Sequence, residues 1–495
     1  MICVSIGRSS IKSLIAEHHQ LVEHGAQLVE LRIDYLEGSI DLKPLLENRP
    51  SPVIITCRRV KDGGKFQESE ERRLVVLRSA IAQGADYVDL EEDVAGSIPR
   101  FGPTKRIVSL HDFRRTPADL DQAHARLVAL DADIVKLATL AHSPHDNVRM
   151  LQLMQKSPVP TVGVCMGEIG TPSRILAPKF GAPFTFATFS SERQMAPGQL
   201  SFREMEDIYG YSRITPDTEV YGVIGDPIQH SYSPQIHNAA FQALGLNKVY
   251  IPFRVPRGEV PRFLEDAPAL GIRGISVTIP HKQTVLAKAT QIDPLVEGAG
   301  AANTLIFSGN QIHAYNTDAQ AALESLELEM RQKDQNTNPF AGKPILVLGA
   351  GGAARAIAFG LKQRGAEVYL SGRTAEKAKE LAEKLDCRLV PWEERGGVRC
   401  AVLVNCTPVG MHPNVDECPV EKHMLRPAMV VFDTVYNPEN TLLLKHARTQ
   451  HAKPISGIEM FVRQAALQFQ LFTGHPAPTD LMRDILRRAI APARS

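Results

Sequence analysis

From residue 1 to residue 200, short β-branched runs alternate with stretches whose apolar positions recur at helical spacing. Residues 2–7, 28–35, 52–58, 87–91, 106–111, 133–139, 160–167 and 184–189 read as strands, and 10–24, 68–83, 117–130 and 143–155 read as helices. Strands alternating with helices in this way predict an α/β fold, a (β/α)8 TIM barrel over residues 1–205. An open doubly wound sheet would share the rhythm. The near-regular repeats favour closure, and this half has no glycine-rich nucleotide turn.

Residues 201–217 are a polar connector. A second α/β region opens at Val220-Tyr221-Gly222-Val223-Ile224-Gly225. After the hydrophilic stretch 331–338, residues 344–349 read as a buried strand. These breaks predict one domain over 218–325 and another over 326–456. Terminal helices over 457–495 are expected to fold back and complete the first of the two.

The chain has 495 residues, room for two to four domains at roughly 100–200 residues each. Its net charge of +1 leaves no global field for nucleic acid or an anionic membrane, which points to small-molecule partners. Seven cysteines (Cys3, Cys57, Cys165, Cys387, Cys400, Cys406 and Cys418), with no CxxC pair, argue against a disulfide scaffold and a zinc site. The expected compartment is reducing and cytoplasmic. The longest apolar runs are strand-sized, so no membrane span is expected, and residues 1–6 read as a strand rather than a leader.

In the run 28–35, strand alternation sets Glu30, Arg32 and Asp34 on one face and Val29, Leu31 and Ile33 on the other. In a barrel the charged face points inward, where charges are paired or functional. Lys136 lies between apolar neighbours in another strand, and Arg58 and His111 end two more. An isolated lysine is usually a solvated charge. One enclosed near Arg32 and Arg58 should have a depressed pKa, becoming an amine able to form an imine with a ketone. A nearby histidine could then move the proton of the acidified carbon. Lysine plus histidine in a barrel fits class I aldol or dehydration chemistry.

The segments Glu30-Leu31-Arg32-Ile33-Asp34, Thr56-Cys57-Arg58 with Gly63-Gly64, Ser109-Leu110-His111-Asp112-Phe113, Val135-Lys136-Leu137, Ser173-Arg174 and Ala196-Pro197-Gly198-Gln199 resemble type I 3-dehydroquinate dehydratases. The resemblance implies that Lys136 forms a Schiff base and that His111 is the general acid/base. Glu30, Arg32, Arg58, Arg174 and Gln199 would then hold the carboxylate and hydroxyls of 3-dehydroquinate. Asp62 stands where the family has the Glu that orients the histidine, and Met195 replaces a substrate-binding Ser.

In the second half, the strand Ile345-Leu346-Val347-Leu348 runs into Gly349-Ala350-Gly351-Gly352-Ala353-Ala354 and an apolar helix. Such a turn lets the backbone approach a pyrophosphate at a helix N-terminus. The next strand ends in Gly372-Arg373-Thr374, with Lys377 beyond, and has no acid to hold a ribose diol. That favours NADP.

The clusters Ser231-Tyr232-Ser233-Pro234, Thr278-Ile279-Pro280-His281-Lys282, Ala302-Asn303-Thr304, Asn316-Thr317-Asp318, Asn405-Cys406-Thr407-Pro408, Val435-Tyr436-Asn437-Pro438 and Gly457-Ile458-Glu459-Met460 with Gln464 and Gln468 resemble shikimate dehydrogenases. The resemblance implies a catalytic pair, Lys282 and Asp318. It gives the carboxylate to Ser231, Ser233 and Tyr436, and the hydroxyls to Thr278, Asn303, Gln464 and Gln468. NADP would be held by Gly349, Ala350, Gly351, Gly352, Ala353, Arg373, Thr374, Lys377, Asn405, Thr407 and Gly457. The domain order resembles the fused shikimate-pathway enzyme of plants and some bacteria. The implied activities are a lyase making 3-dehydroshikimate and an oxidoreductase making shikimate. Quinate as second substrate, or a non-catalytic regulator, are the alternatives; retention of Lys136, His111, Lys282 and Asp318 argues against the latter.

Overall fold

The computed structural model describes residues 1–190, 192, 195–331 and 338–490. Most of the hydrophilic stretch, residues 332–337, lies outside them. The chain forms two compact units, Met1–Val220 with Asn247–Gly271, and Tyr221–Leu246 with Ile272–Ser495.

The first unit is built on parallel strands β1 (Ile2–Ile6), β2 (Leu28–Arg32), β3 (Val53–Thr56), β4 (Tyr87–Glu91), β5 (Lys105–Asp112), β6 (Ile134–Leu140), β7 (Thr161–Met166) and β8 (Thr185–Thr188). Their order is β7-β6-β5-β4-β3-β2-β1-β8, a nearly closed barrel with no ladder between β7 and β8 among the described residues. The expected helices appear as Ile11–Glu23, Glu70–Ala82, Leu120–Val128 and Pro144–Lys156. Ser10, Ser69 and Ser143 cap three of them from outside, because their hydroxyls accept the first free backbone N–H groups.

Alternation along the strands divides the barrel interior into layers. Cys3, Leu28, Ile54, Ile107, Ile134, Val162 and Phe184 form an apolar plug. Two residues further along the same strands come Ser5, Glu30, Thr56, Ser109 and Lys136, all buried. A polar floor thus rests on a dry base, and the charged groups face the end where barrel enzymes work. One expectation fails. The strand reading of 28–35 ends at Arg32, and Ile33–Tyr35 is a 3-10 turn.

The second unit holds two sheets. In one, β9 (Glu219–Gly225), β11 (Ile272–Val277), β13 (Thr304–Ser308), β14 (Gln311–Tyr315) and β12 (Gln291–Ile292) are neighbours in that order; β10 (Lys248–Arg254) falls within the first unit. The other comprises β15 (Pro344–Leu348), β16 (Glu367–Ser371), β17 (Arg388–Leu389), β18 (Val402–Asn405), β19 (Val430–Asp433) and β20 (Lys453–Ile455). Its order, β17-β16-β15-β18-β19-β20, is all parallel and reverses direction between β15 and β18. That is the doubly wound dinucleotide-binding arrangement, with its crevice at the reversal. The terminal helices Gly457–Thr473 and Thr479–Ile490 pack on helices Thr317–Met330 and Ser233–Ala243 respectively. Among the described residues no helix is long and apolar enough to cross a membrane.

Candidate active sites

In the barrel, Lys136, His111, Asp62, Glu30, Arg32, Arg58, Arg174, Met195 and Gln199 all line one cavity. Lys136 Nζ donates to Asp89 Oδ2 at 2.9 Å, lies 3.6 Å from Glu30 Oε1, and sits 4.0 Å above the Phe186 ring. The cationic neighbourhood expected for the lysine is thus offset by two carboxylates. Burial pushes the Asp89 carboxyl up, but Arg58 and Lys136 outweigh it and hold it well below the usual range. Glu30 is likewise held low by Lys136 and Arg32 against its burial, and it accepts from Ser5 and Thr56 at 2.6 and 2.8 Å.

The three arginines differ in what they hold. Arg32 forms a fork on Asp34, with bonds of 2.9 and 2.8 Å. Asp34 therefore serves the arginine and does not join the strand face expected for it. Arg58 reaches Asp89 and Glu91, each at 2.8 Å. Arg174 is buried and has no carboxylate partner among the described residues; it donates only to Phe186 O at 3.3 Å, and burial lowers its pKa to about 10. A desolvated guanidinium without a counter-ion is a receptor for an anion.

His111 is held neutral: burial, then Arg58 and Lys136, push its pKa well below 6.5. Its Nδ1 is buried without a hydrogen-bond partner among the described residues. The bond expected from Asp62 is not made. Asp62 Oδ2 instead accepts from Arg59 Nε at 2.6 Å, and the ring beside His111 is Phe113, near-parallel at 6.4 Å. The short aspartate lies in reach of the adjacent guanidinium, which takes it.

Sequence reading missed Asp89, although β4 carries the signal. Tyr87-Val88-Asp89-Leu90-Glu91 sets Asp89 and Glu91 on one face, the alternation noticed in β2.

In the second unit, Lys282 Nζ donates to Asp318 Oδ2 at 2.5 Å. Asp318 is in the first turn of its helix, and Asn303 Oδ1 accepts from Thr317 N at 2.8 Å, fixing that turn. Around the pair is a cavity of ≈ 510 Å³ lined by Ser231, Ser233, Thr278, Asn303, Tyr436, Gln464 and Gln468. Gln468 is already engaged, accepting from Ser276 Oγ at 2.9 Å and donating to Thr304 Oγ1 at 2.9 Å. It braces the pocket wall.

A second cleft of ≈ 970 Å³ is lined by Gly349, Ala350, Gly351, Gly352, Ala353, Arg373, Thr374, Lys377 and Thr407. Lys282 and Tyr436 line both clefts. Gly349 has φ +116°, and an added Cβ would lie 3.0 Å from Cys406 O. At Gly351 a Cβ would meet nothing within 4 Å, so the turn is open toward the cleft. Open glycines at a helix N-terminus, with cationic Arg373 and Lys377 beyond, fit a 2′-phosphorylated dinucleotide. Two expected cofactor contacts fall elsewhere. Asn405 is fully buried beneath the cleft, bonded to Asp433 and Thr407, and Gly457 lines the smaller cavity.

Family models match both halves of the chain. Residues 2–216 match the family described as type I 3-dehydroquinase. Residues 223–305 match the shikimate dehydrogenase substrate binding domain, 331–395 shikimate / quinate 5-dehydrogenase, and 457–487 the shikimate 5'-dehydrogenase C-terminal domain. A bifunctional 3-dehydroquinate dehydratase/shikimate dehydrogenase, chloroplastic, of Arabidopsis thaliana is 39% identical, over 99% of this chain and 84% of its own. A shikimate dehydrogenase (NADP(+)) of Methanothermobacter thermautotrophicus is 41% identical over 56% of this chain and 99% of its own. A crystal structure of a shikimate dehydrogenase in complex with NADP+ superposes with a TM-score of 0.52 at 38% identity, covering 56% of this chain and 98% of that one.

Proposed function

We propose the following residue roles from one premise: the chain belongs to the family of bifunctional 3-dehydroquinate dehydratase/shikimate dehydrogenases. It is a two-step enzyme of the shikimate pathway, dehydrating 3-dehydroquinate and then reducing 3-dehydroshikimate with NADPH. The functional divisions are residues 1–205 for the first step, 218–325 with 457–495 for the second substrate, and 326–456 for NADP.

In the barrel, Arg174 receives the substrate carboxylate, while Glu30, Arg32, Arg58 and Gln199 hold the ring's polar groups. The Lys136 amine attacks the ketone, and loss of water gives an imine. The imine acidifies the adjacent carbon. Neutral His111 removes a proton there and delivers it to the leaving hydroxyl, which departs as water. Hydrolysis of the imine frees the product and restores the amine. The observation carrying this reading is that Lys136 lines one cavity with His111 and with Arg174, which has no carboxylate partner among the described residues.

In the second unit, Ser231, Ser233 and Tyr436 hold the carboxylate, and Thr278, Asn303 and Gln464 read the hydroxyls. Arg373, Thr374 and Lys377 hold the adenosine 2′-phosphate. NADPH, when bound, supplies the hydride. Lys282 gives its proton to the carbonyl oxygen, and Asp318 keeps the ammonium aimed. We place the enzyme in a reducing, cytoplasmic compartment, because its cysteines are all free. Incubating the single chain with 3-dehydroquinate and NADPH should yield shikimate. Accumulation of 3-dehydroshikimate, or no turnover, would reject the two-step reading.

A further inference from the structure

Beneath the reductive site lies a carboxylate that lines neither cleft. Asp433 ends β19 and is fully buried, as is its register partner Asn405 at the end of β18. It has no ion-pair partner among the described residues, only hydrogen-bond donors. Its Oδ1 accepts from Asn405 Nδ2 at 3.0 Å and from Val435 N at 3.1 Å, and its Oδ2 accepts from Thr441 Oγ1 at 2.6 Å. Each donor belongs to a different piece of chain. Asn405 holds the nucleotide-side turn, since its Oδ1 accepts from both the N–H and the hydroxyl of Thr407, at 3.1 and 2.7 Å. Val435 precedes Tyr436, which lines both clefts. Thr441 caps the helix Leu442–Thr449.

A buried carboxyl with no cation is costly, and an apolar residue would fill this strand end more cheaply. The sheet retains it where two ligand-binding loops leave adjacent strands. We infer that Asp433 is a positioning residue that locks the Asn405–Thr407 turn to the Val435–Tyr436 loop, so that the nucleotide and carboxylate subsites are set by one shared hub. Burial pushes its carboxyl up to about 6, which agrees with a site satisfied by hydrogen bonds rather than by charge.

The inference rests on the assignment of the two clefts to NADP and substrate. The full-length chain is compared with Asp433→Ala, Asp433→Asn and Thr441→Val. NADPH affinity is read by nucleotide fluorescence and 3-dehydroshikimate by KM, with kcat, Tm and the dehydratase rate alongside. Asp433→Ala should weaken both ligands together by about tenfold, leaving kcat within threefold and the dehydratase unchanged. Asp433→Asn should restore both to within about twofold, because its Oδ1 still accepts and its amide can donate to Thr441. Thr441→Val, outside both clefts, should shift both constants in parallel by about threefold, and it serves if the alanine variant does not fold. Movement of one constant alone, or a lower Tm with neither constant changed, overturns the hub. Failure of the unmodified protein to bind NADPH instead overturns the cleft assignment itself.

Discussion

Asp89 Oδ2 accepts from Lys136 Nζ at 2.9 Å and from the Arg58 guanidinium at 2.8 Å, so one carboxylate oxygen holds both side chains. Its Oδ1 accepts from Ser109 at 2.6 Å. The lysine is thereby held against Phe186, with little freedom to swing.

Asp89→Asn should lower the dehydratase kcat by about ten- to hundredfold, the worth of a charge-assisted bond. The reductase rate in the same chain should stay constant and thus control for folding. A dehydratase rate within twofold would mean that Asp89 is packing alone.

The depressed pKa of His111 has a defined sign. Proton abstraction needs the neutral imidazole, and a lowered pKa keeps that form present at lower pH. NMR titration of the free protein, with His111→Asn to assign the resonance, should place the His111 midpoint well below 6.5. A midpoint at or above 6.5 would contradict the burial and the Arg58 and Lys136 repulsion that set it.

Asp62→Asn should reduce the dehydratase kcat by less than about tenfold, because Arg59 rather than His111 holds that carboxylate. A carboxylate that oriented the histidine would cost on the order of 10⁴-fold when replaced by its amide. A loss of that size would restore Asp62 to the role its position suggests.

The barrel was legible because its strands alternate. Glu30, Arg32 and Lys136 could be assigned inward from the apolar residues on either side of them. Asp89 obeys the same rule, but its strand holds no lysine, histidine or arginine to mark it. For Asp62 and Asn405 the sequence offers only motif position, and motif position does not say which neighbour takes a side chain. Arg59 is adjacent in sequence to Arg58 but does not line the cavity, and it claims the shorter acid. Asn405 points under the nucleotide crevice because its strand end is covered by Asp433 across the ladder, a partner 28 residues away.

Arg373→Ala should raise the KM for NADPH by about ten- to hundredfold and leave that for NADH within twofold, since only the 2′-phosphate distinguishes the two. Equal weakening of both would place Arg373 on the shared part of the nucleotide.

The imine is tested most directly by borohydride reduction of the full chain in the presence of 3-dehydroquinate, followed by peptide mass spectrometry. A substrate-derived adduct should appear on Lys136 and on no other lysine, with the dehydratase lost and the reductase intact. Full dehydratase activity after that treatment, or an adduct elsewhere, would contradict the assignment.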